Sequence, residues 1–248
     1  MARYQIILAY DGTDFLGSQR QAQARTIQGE LEKALAKLGW KGRTVLLAGR
    51  TDTGVHASGQ VAAFDLDWAH GLDELASALN ANLPEDMAAR NAREVGEDFQ
   101  PRFDATCRLY RYRLFCEPVR DPLRERFAWR VWPKVGDLRG LGEIWLGRHD
   151  FAAFGSPLHS GGSTVRTVHS ASWQRKGSEW TFEVCADAFL YRMVRRLVFV
   201  QVAVGQGRLG AEALASALRK PSKLLPGIAP ASGLTLVEVC YDGQVDPD

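Results

Sequence analysis

Residues 48–57 have the sequence AGRTDTGVHA and join two segments whose composition favours β-strand. Apolar residues at helical spacing predict one helix on each side of this pair, and a further strand beyond each helix. In chain order, the predicted elements are a strand at 3–10, a helix at 26–38, strands at 43–48 and 60–66, a helix at 72–82 and a strand at 89–97. This β-α-β-β-α-β order is the ferredoxin-like pattern.

The second half of the chain can be divided in the same way. Its predicted elements are a strand at 108–116, a helix at 137–146, a hairpin of strands at 167–175 and 179–186, helices at 188–205 and 211–218, and a strand at 234–241. No sequence repeat accompanies this second series, so any duplication is one of topology. The expected fold class is α+β, with two tandem ferredoxin-like halves, residues 1–104 and 105–248, whose antiparallel sheets flank a central basic cleft.

The composition is that of a globular chain. Apolar residues make up 46% of the 248 residues and charged residues 24%, which favours a folded chain over a disordered one. The formal net charge of +2 excludes a histone-like polycation and an acidic tail, although it leaves room for a local basic cleft. The chain holds 24 Arg against 7 Lys. This excess weakly favours a nucleic-acid partner, because Arg grips phosphates and stacks on rings, and a codon bias towards Arg is the alternative.

Neither a metal site nor a membrane span is expected. The five histidines show no HxxxH or HxxE spacing. No apolar run reaches the roughly 18 residues of a membrane span, and residues 1–8 lack the apolar core of a signal peptide, so we expect a soluble cytoplasmic protein. The cysteines form no CxxC pair, and we expect buried free thiols in a reducing compartment. These are Cys107, Cys116, Cys185 and Cys240.

The stretch at 48–57 gathers five polar side chains in one turn between strands, namely Arg50, Thr51, Asp52, Thr53 and His56. Loops on a rigid sheet often carry function. An ordinary Asp-containing turn is the alternative, because Asp and Gly favour turns for backbone reasons. The triplet DTG at 52–54 also matches aspartic proteases, but their chemistry needs two carboxylates that share a proton. Since the chain has one such triplet, and Arg50 would keep Asp52 ionised, we set a protease aside.

Residues 102–130 hold eight arginines against four acidic residues. On a strand in this segment, Tyr110 and Tyr112 lie on one face, and Arg111 and Arg113 lie on the other. Aromatic rings beside cations suit stacking on unpaired bases and contacts to phosphates. The alternative is a solvent-exposed cationic face with both tyrosines packed inward.

The predicted helix at 188–205 carries Arg192, Arg195 and Arg196 among apolar residues. A helix this apolar buries most of its surface. We therefore expect at least one of the three arginines to face protein, where it needs a carboxylate partner. The alternative is that all three extend to the surface.

Taken together, these segments resemble the tRNA pseudouridine synthase A family along nearly the whole chain. The most specific block is GRTDTGVHA at 49–57. The other matching blocks, in the same order as in the family, are YDGT at 10–13, GQV at 59–61, NLP at 82–84, residues 108–112, GRHDF at 147–151, MVR at 193–195 and APASGL at 229–234.

The resemblance implies that the protein isomerises uridine to pseudouridine in the anticodon stem-loop of tRNA, at tRNA positions 38, 39 and 40. It further implies a homodimer and a reaction without cofactor or metal. By residue match, Asp52 in the first half is the catalytic aspartate, and Tyr110 in the second half stacks on the target base. Arg50 helps to displace the base from its stem, and Arg195 is the partner of the Asp52 carboxylate.

These residue types suit the implied reaction, in which the N1–C1′ bond breaks and C1′ is rejoined to C5 of the same base. A carboxylate beside C1′ either attacks as a nucleophile or abstracts a sugar proton, and both roles need an ionised Asp52. The base must first leave its stack. The runner-up interpretation is a non-catalytic RNA-binding module. Three positions depart from the family pattern: Ser18 stands where Trp is usual, Gln100 where His is usual and Phe199 where Gly is usual.

Overall fold

The computed structural model describes residues 1–222 and 224–242. The chain forms a mixed α/β structure, with five α-helices and ten β-strands among these described residues. It divides into two compact units: the first comprises Met1–Thr106 and residues 235–242, and the second is Cys107–Leu234. No helix in the described ranges is both long enough and apolar enough to cross a membrane.

The regular elements follow one another along the chain in a mixed order. They are β1 (Ala2–Tyr10), α1 (Ile27–Lys37), β2 (Leu46–Leu47), β3 (His56–Leu66), α2 (Leu72–Asn80), β4 (Met87–Val95), β5 (Ala105–Phe115), α3 (Pro122–Glu125), β6 (Trp129–Arg130), β7 (Gly147–Asp150), β8 (Val165–Lys176), β9 (Glu179–Ala186), α4 (Met193–Gly205), α5 (Ala211–Arg219) and β10 (Leu234–Tyr241). Two 3-10 helices, Leu141–Trp145 and Ala231–Gly233, complete the series.

The first unit contains strands in the order β4-β1-β3-β10, and the short β2 pairs with β3. β1 is antiparallel to both β3 and β4, whereas β10 is parallel to β3. Gly59 permits the close approach of β10, because a Cβ atom there would lie 2.0 Å from the carbonyl oxygen of Val237. A residue with a side chain could not occupy this position without moving a strand.

Helices α1 and α2 each bury one apolar face in the first unit. Thr26 is the N-cap of α1, and its Oγ1 accepts a hydrogen bond from the amide of Gly29 at 3.2 Å. The apolar stripe of each helix then follows the helical period, so each helix has one buried side and one exposed side. The fully buried side chains of the two stripes are Ile27, Leu31, Leu35, Leu75 and Leu79.

The second unit contains strands in the order β5-β9-β8-β7, and all of these neighbours are antiparallel. β9 alternates strictly, with every second residue buried as the pleat of a half-buried strand requires. Its buried residues are Trp180, Phe182, Val184 and Ala186. Helix α4 is apolar around much of its surface, and its fully buried residues include Met193, Leu197, Val198 and Val200.

The helix predicted at 137–146 is wrong. Only the 3-10 helix Leu141–Trp145 forms there, and β7 follows it directly. Glycines explain the difference: Gly140 and Gly147 have φ angles of +81° and +93°, which an α-helix does not accommodate. A Cβ on Gly142 would lie 2.4 Å from the carbonyl oxygen of Ala171, so this backbone lies directly against β8.

Two other predicted elements are shorter than expected. The helix predicted to begin at residue 188 begins at Met193, because Arg192 before it is left-handed with φ of +64°. The strand predicted at 43–48 is reduced to the two residues of β2. The remaining predicted helices and strands are present, with ends that differ by a few residues.

The expectation of four free thiols is correct for two cysteines and wrong for two. Cys116, which is buried, and Cys185, which is half-buried, are not disulfide-bonded. Cys107 and Cys240 are disulfide-bonded. CxxC spacing is a local signal, whereas a disulfide depends on which residues the fold brings together, so spacing alone could not predict this pairing state.

Candidate active site

The loop that carries Asp52 spans residues 48–55 and leads directly into β3; we call it the Asp52 loop. At its base the amide of Ala48 donates to the carbonyl oxygen of Val61 at 2.9 Å. Within it Arg50 is exposed and Asp52 is half-buried. Gly54 has φ of +76°, and the amide of Val55 donates to the carbonyl oxygen of Asp52 at 3.1 Å, which closes a turn around the aspartate.

A second loop, residues 11–18 after β1, lies against the Asp52 loop; we call it the supporting loop. Two of its glycines allow the backbones to meet. A Cβ on Gly12 would lie 2.0 Å from the carbonyl oxygen of Val55, and a Cβ on Gly17 would lie 3.0 Å from that of Thr51. Gly17 also has φ of +90°, which disfavours any other residue. The Asp52 loop is therefore shaped by its neighbour as well as by its own turn.

Hydrogen bonds also join the supporting loop to the Asp52 loop and to His56, the first residue of β3. The amide of Thr51 donates to Oγ of Ser18 at 2.8 Å, and the amide of Ser18 donates to the carbonyl oxygen of Thr51 at 3.1 Å. Nδ1 of His56 accepts from the amide of Gly12 at 3.0 Å and lies 3.1 Å from Oδ1 of Asp11. Because Ser18, Thr51 and His56 are all buried, these contacts are shielded from water.

Tyr110 lies on β5 in the second unit, where it is 9% exposed. Its ring contacts the ring of Phe189 edge to face, with centroids 5.1 Å apart. Its backbone lies opposite Val184 in the antiparallel pairing of β5 with β9. Its neighbour on the same face, Tyr112, is fully buried and donates from its hydroxyl to the carbonyl oxygen of Pro230 at 2.9 Å. Burial raises the pKa of Tyr112 well above its ordinary value, so its hydroxyl stays protonated.

The opposite face of β5 carries paired cations. Arg111 lies 2.6 Å from a carboxylate oxygen of Glu183, and Arg113 lies 2.8 Å from one of Glu179. Tyr110 and Tyr112, on the other face of this strand, are both buried. Its two outward arginines bind acidic neighbours on β9.

The three arginines at the start of α4 behave differently. Nε of Arg195 donates to the carbonyl oxygen of Ala229 at 2.8 Å, and the amide of Ala229 donates back to the carbonyl oxygen of Arg195 at 3.2 Å. Arg196 donates to the carbonyl oxygen of Gly227 at 2.7 Å, and burial lowers the pKa of its guanidinium. Arg192 is exposed, with its guanidinium carbon 4.7 Å from the ring centre of Tyr191. Arg195 and Arg196 thus face protein, as expected, and both bind backbone carbonyl oxygens, whereas the expected carboxylate partner stays a prediction.

The residues predicted for the site thus fall into two groups. Arg50 and Asp52 share the Asp52 loop of the first unit, and Tyr110 and Arg195 belong to the second unit. Within the second unit the segment at 229–234 is bound by Arg195 through Ala229 and by Tyr112 through Pro230. That segment is the APASGL block of the sequence.

The three departures from the family pattern have identifiable surroundings. Ser18 binds Thr51, as described above. The ring of Phe199 lies against Gly227, where a Cβ would be 2.2 Å from Cζ, so the glycine makes room for the larger residue on α4. The amide of Gln100 donates to Oδ2 of Asp104 at 2.8 Å.

The contacts of the buried polar residues beneath the Asp52 loop were not predicted from the sequence. Tyr10 and Gln60 lie within matching blocks, yet nothing in their spacing indicated contact with the loop. No group of three or more His, Cys, Asp or Glu side chains in the described parts of the chain could hold a metal ion.

The sequence matches known proteins over nearly its whole length. A family model for tRNA pseudouridine synthase matches residues 6–104 and 143–242. The tRNA pseudouridine synthase A of Chloroflexus aurantiacus is 41% identical over 251 residues, which cover 97% of this chain and 89% of that protein. The protein of the same name from Methylacidiphilum infernorum is 40% identical over 246 residues, with 96% and 95% covered. That from Neisseria meningitidis is 37% identical over 243 residues, with 96% and 92% covered.

Proposed function

This chain belongs to the tRNA pseudouridine synthase A family and is an isomerase that acts on tRNA, and we propose that it converts uridine to pseudouridine in the anticodon stem-loop, at tRNA positions 38, 39 and 40. The reaction neither adds nor removes a group. It breaks the bond between N1 and C1′, turns the base and joins C1′ to C5, and the proton on C5 is then lost to solvent while N1 gains one.

The observation that carries the proposal is the carboxylate of Asp52 on a loop held firmly beside the exposed Arg50. A module that only binds RNA gains nothing from a carboxylate at its binding surface, because the carboxylate repels phosphate. An enzyme that must bring a nucleophile or a base to C1′ needs such a group in a fixed place. Asp52 is therefore proposed as the catalytic residue.

Arg50 and Tyr110 are proposed to handle the base. Extraction of a stacked base costs a few kcal/mol, and a side chain that takes its place together with a ring that receives it offsets that cost. Arg50 is exposed on the Asp52 loop and has the length to enter a stem. The edge-to-face contact with Phe189 fixes the ring plane of Tyr110, which suits a surface on which one base stacks.

Arg195 is proposed as the cationic partner of the Asp52 carboxylate. A guanidinium beside a carboxylate favours the ionised form that both candidate mechanisms require. The hydrogen bond from Nε of Arg195 to the carbonyl oxygen of Ala229 fixes the direction in which the planar guanidinium points, which supports a positional role.

We also propose the organisation that goes with this function: two ferredoxin-like halves, residues 1–104 and 105–248, in a cytoplasmic homodimer without a cofactor. In the first unit, the order β4-β1-β3 with β2 on the outer side of β3 agrees with such a half. The last strand, β10, returns from the second half of the sequence to pair with β3.

The experiment is tritium release from anticodon stem-loops that carry 5-tritiated uridine. Since C5 must lose its hydrogen, release reports each isomerisation. We expect release from stem-loops with uridine at positions 38, 39 and 40, and none when cytidine occupies all three. Unchanged release from the cytidine-substituted stem-loop would place the activity elsewhere on tRNA. Tight binding without any release would identify an RNA-binding module instead.

A further inference from the structure

Buried polar side chains lie beneath the Asp52 loop and bind its backbone on both sides of Arg50. They are Tyr10, Ser18 and Gln60, with exposed fractions of 5%, 0% and 0%, and they meet Thr51 of the loop, which is 7% exposed. Polar groups buried this deeply are stable only when their hydrogen bonds are made. The partners of these groups therefore indicate what the groups do.

Gln60 binds both backbone groups of the residue before Arg50. Its Nε2 donates to the carbonyl oxygen of Gly49 at 2.9 Å, and its Oε1 accepts from the amide of Gly49 at 3.2 Å. The side-chain amide orientation follows from this geometry, since only one orientation offers a donor to the carbonyl and an acceptor to the amide. Gln60 belongs to β3, so a central strand fixes one end of the segment.

Ser18 binds both backbone groups of the residue after Arg50. Its hydroxyl accepts from the amide of Thr51 at 2.8 Å, and its own amide donates to the carbonyl oxygen of Thr51 at 3.1 Å. The carbonyl oxygen of Ser18 in turn accepts from the amide of Gln28 in α1 at 2.9 Å. The other end of the segment is therefore fixed to the start of a helix.

Tyr10 links the two ends. Its hydroxyl oxygen lies 2.9 Å from Oγ1 of Thr51 and accepts from Nε2 of Gln60 at 3.4 Å. Burial raises the pKa of Tyr10 to about 12, so the hydroxyl remains neutral and able to take part in both contacts at any physiological pH. The buried groups form one connected network.

We propose that Gln60 and Ser18 are positioning residues for the reaction at Asp52: they fix the backbone on both sides of Arg50 and so hold Arg50 and Asp52 at set places on one loop. This inference rests on the proposed function, in which Asp52 is catalytic and Arg50 displaces the base. A loop free to shift by about 1 Å would lose on the order of a hundredfold in rate, because catalysis depends on alignment.

The test variant is Gln60→Glu, which exchanges the amide for a carboxyl group of nearly equal shape. When protonated, that carboxyl still offers one donor and one acceptor to Gly49; when ionised, it offers acceptors only and faces the carbonyl oxygen of Gly49 with a negative charge. We expect kcat to fall about 10- to 100-fold as the pH is raised through this ionisation, a decline that the wild type lacks, while KM changes by less than about threefold.

The chain offers a matched control in Asn80. Its side-chain amide binds both backbone groups of Ala89 in the same way, with Nδ2 to the carbonyl oxygen at 2.9 Å and the amide to Oδ1 at 2.7 Å. Asn80 ends α2 and makes these bonds to β4, outside the two loops. Asn80→Asp therefore makes the same chemical change without touching the Asp52 loop, and we expect its kcat to follow the wild-type pH profile.

A pH-dependent loss in Gln60→Glu but not in Asn80→Asp supports the proposal. Equal profiles in wild type and Gln60→Glu, or equal losses in both variants, would overturn it. Should Gln60→Glu not fold, Ser18→Ala replaces it: the proposal predicts a lower kcat with little change in KM, and unchanged kcat would contradict it.

Failure of the proposed function can be distinguished from failure of this inference. If the wild-type protein releases no tritium from tRNA, the proposed function is wrong. Amide exchange then tests the network by itself, because amides of Gly49 and Thr51 that are bonded to buried groups exchange slowly. Rapid exchange at both amides in the wild type would refute the network whatever the protein's activity.

Discussion

The parallel contact between β3 and β10 depends on one missing side chain, and Gly59→Ala tests this dependence. The new Cβ would lie 2.0 Å from the carbonyl oxygen of Val237 and 3.1 Å from Cα of Glu238. Since carbon atoms do not approach a carbonyl oxygen closer than about 3 Å, one strand must move by about 1 Å. Both atoms that meet the new Cβ belong to backbone, so a side-chain rotation cannot relieve the clash.

The expected cost combines overpacking with lost strand pairing. Overpacking typically costs about 1–3 kcal/mol, and each weakened backbone hydrogen bond adds about 1 kcal/mol. We therefore expect Gly59→Ala to lower the free energy of unfolding by about 3 kcal/mol or more. For a chain of this size that corresponds to a fall in Tm of about 6–12 °C.

Thermal and urea unfolding measure this change directly, and Gly49→Ala provides the control. A Cβ at Gly49 would meet no atom within 4 Å, so that exchange should alter the stability by less than about 1 kcal/mol. Equal stability of the two variants would refute the argument that β10 packs directly on Gly59.

The other expected outcomes concern single contacts of Tyr112 and Glu179 in the second unit, with Tyr241 of the first unit as a control. Tyr112→Phe removes the hydrogen bond to Pro230 and should lower Tm by about 2–4 °C. Tyr241→Phe removes another buried hydroxyl donor and should lower Tm by a similar amount. Only Tyr112→Phe should lower kcat, and equal kcat values for the two variants would contradict this prediction. The hydrogen bond from Arg113 lowers the pKa of Glu179 below 4.5. Glu179→Gln should therefore lower the free energy of unfolding by up to about 1 kcal/mol at pH 7. Because protonation removes the charge of Glu179, this difference from the wild type should shrink as the pH falls through the lowered pKa. A difference that grows in acid would contradict the prediction.

Local sequence signals predicted α1 closely. Thr26 is a strong N-cap residue, and the apolar stripe behind it has a clear helical period, so both the start and the buried face could be predicted. The start of α4 could not be predicted from the same signals. Its apolar pattern continues before Met193, but the left-handed conformation of Arg192 interrupts the helix, and no sequence signal marks an arginine for that conformation.

Motif matching selected Asp52 and Arg50 as candidate site residues, but the residues that bind their loop were not predicted. Ser18 and Gln60 contact the Asp52 loop through side-chain to backbone hydrogen bonds between distant segments. Such hydrogen bonds produce no periodic pattern of residues from which they could be predicted. They depend instead on the approach of two loops that Gly12 and Gly17 permit.

The catalytic role of Asp52 is tested most directly by comparing Asp52→Asn with Asp67→Asn in the tritium-release assay, with folding checked by thermal unfolding. Asp67 lies just beyond β3 with its side chain 96% exposed, and it provides the same chemical change outside the site. We expect Asp52→Asn to fold and bind tRNA yet release no tritium, and Asp67→Asn to release it at the wild-type rate. Release by folded Asp52→Asn at a rate near that of the wild type would contradict the catalytic role of Asp52.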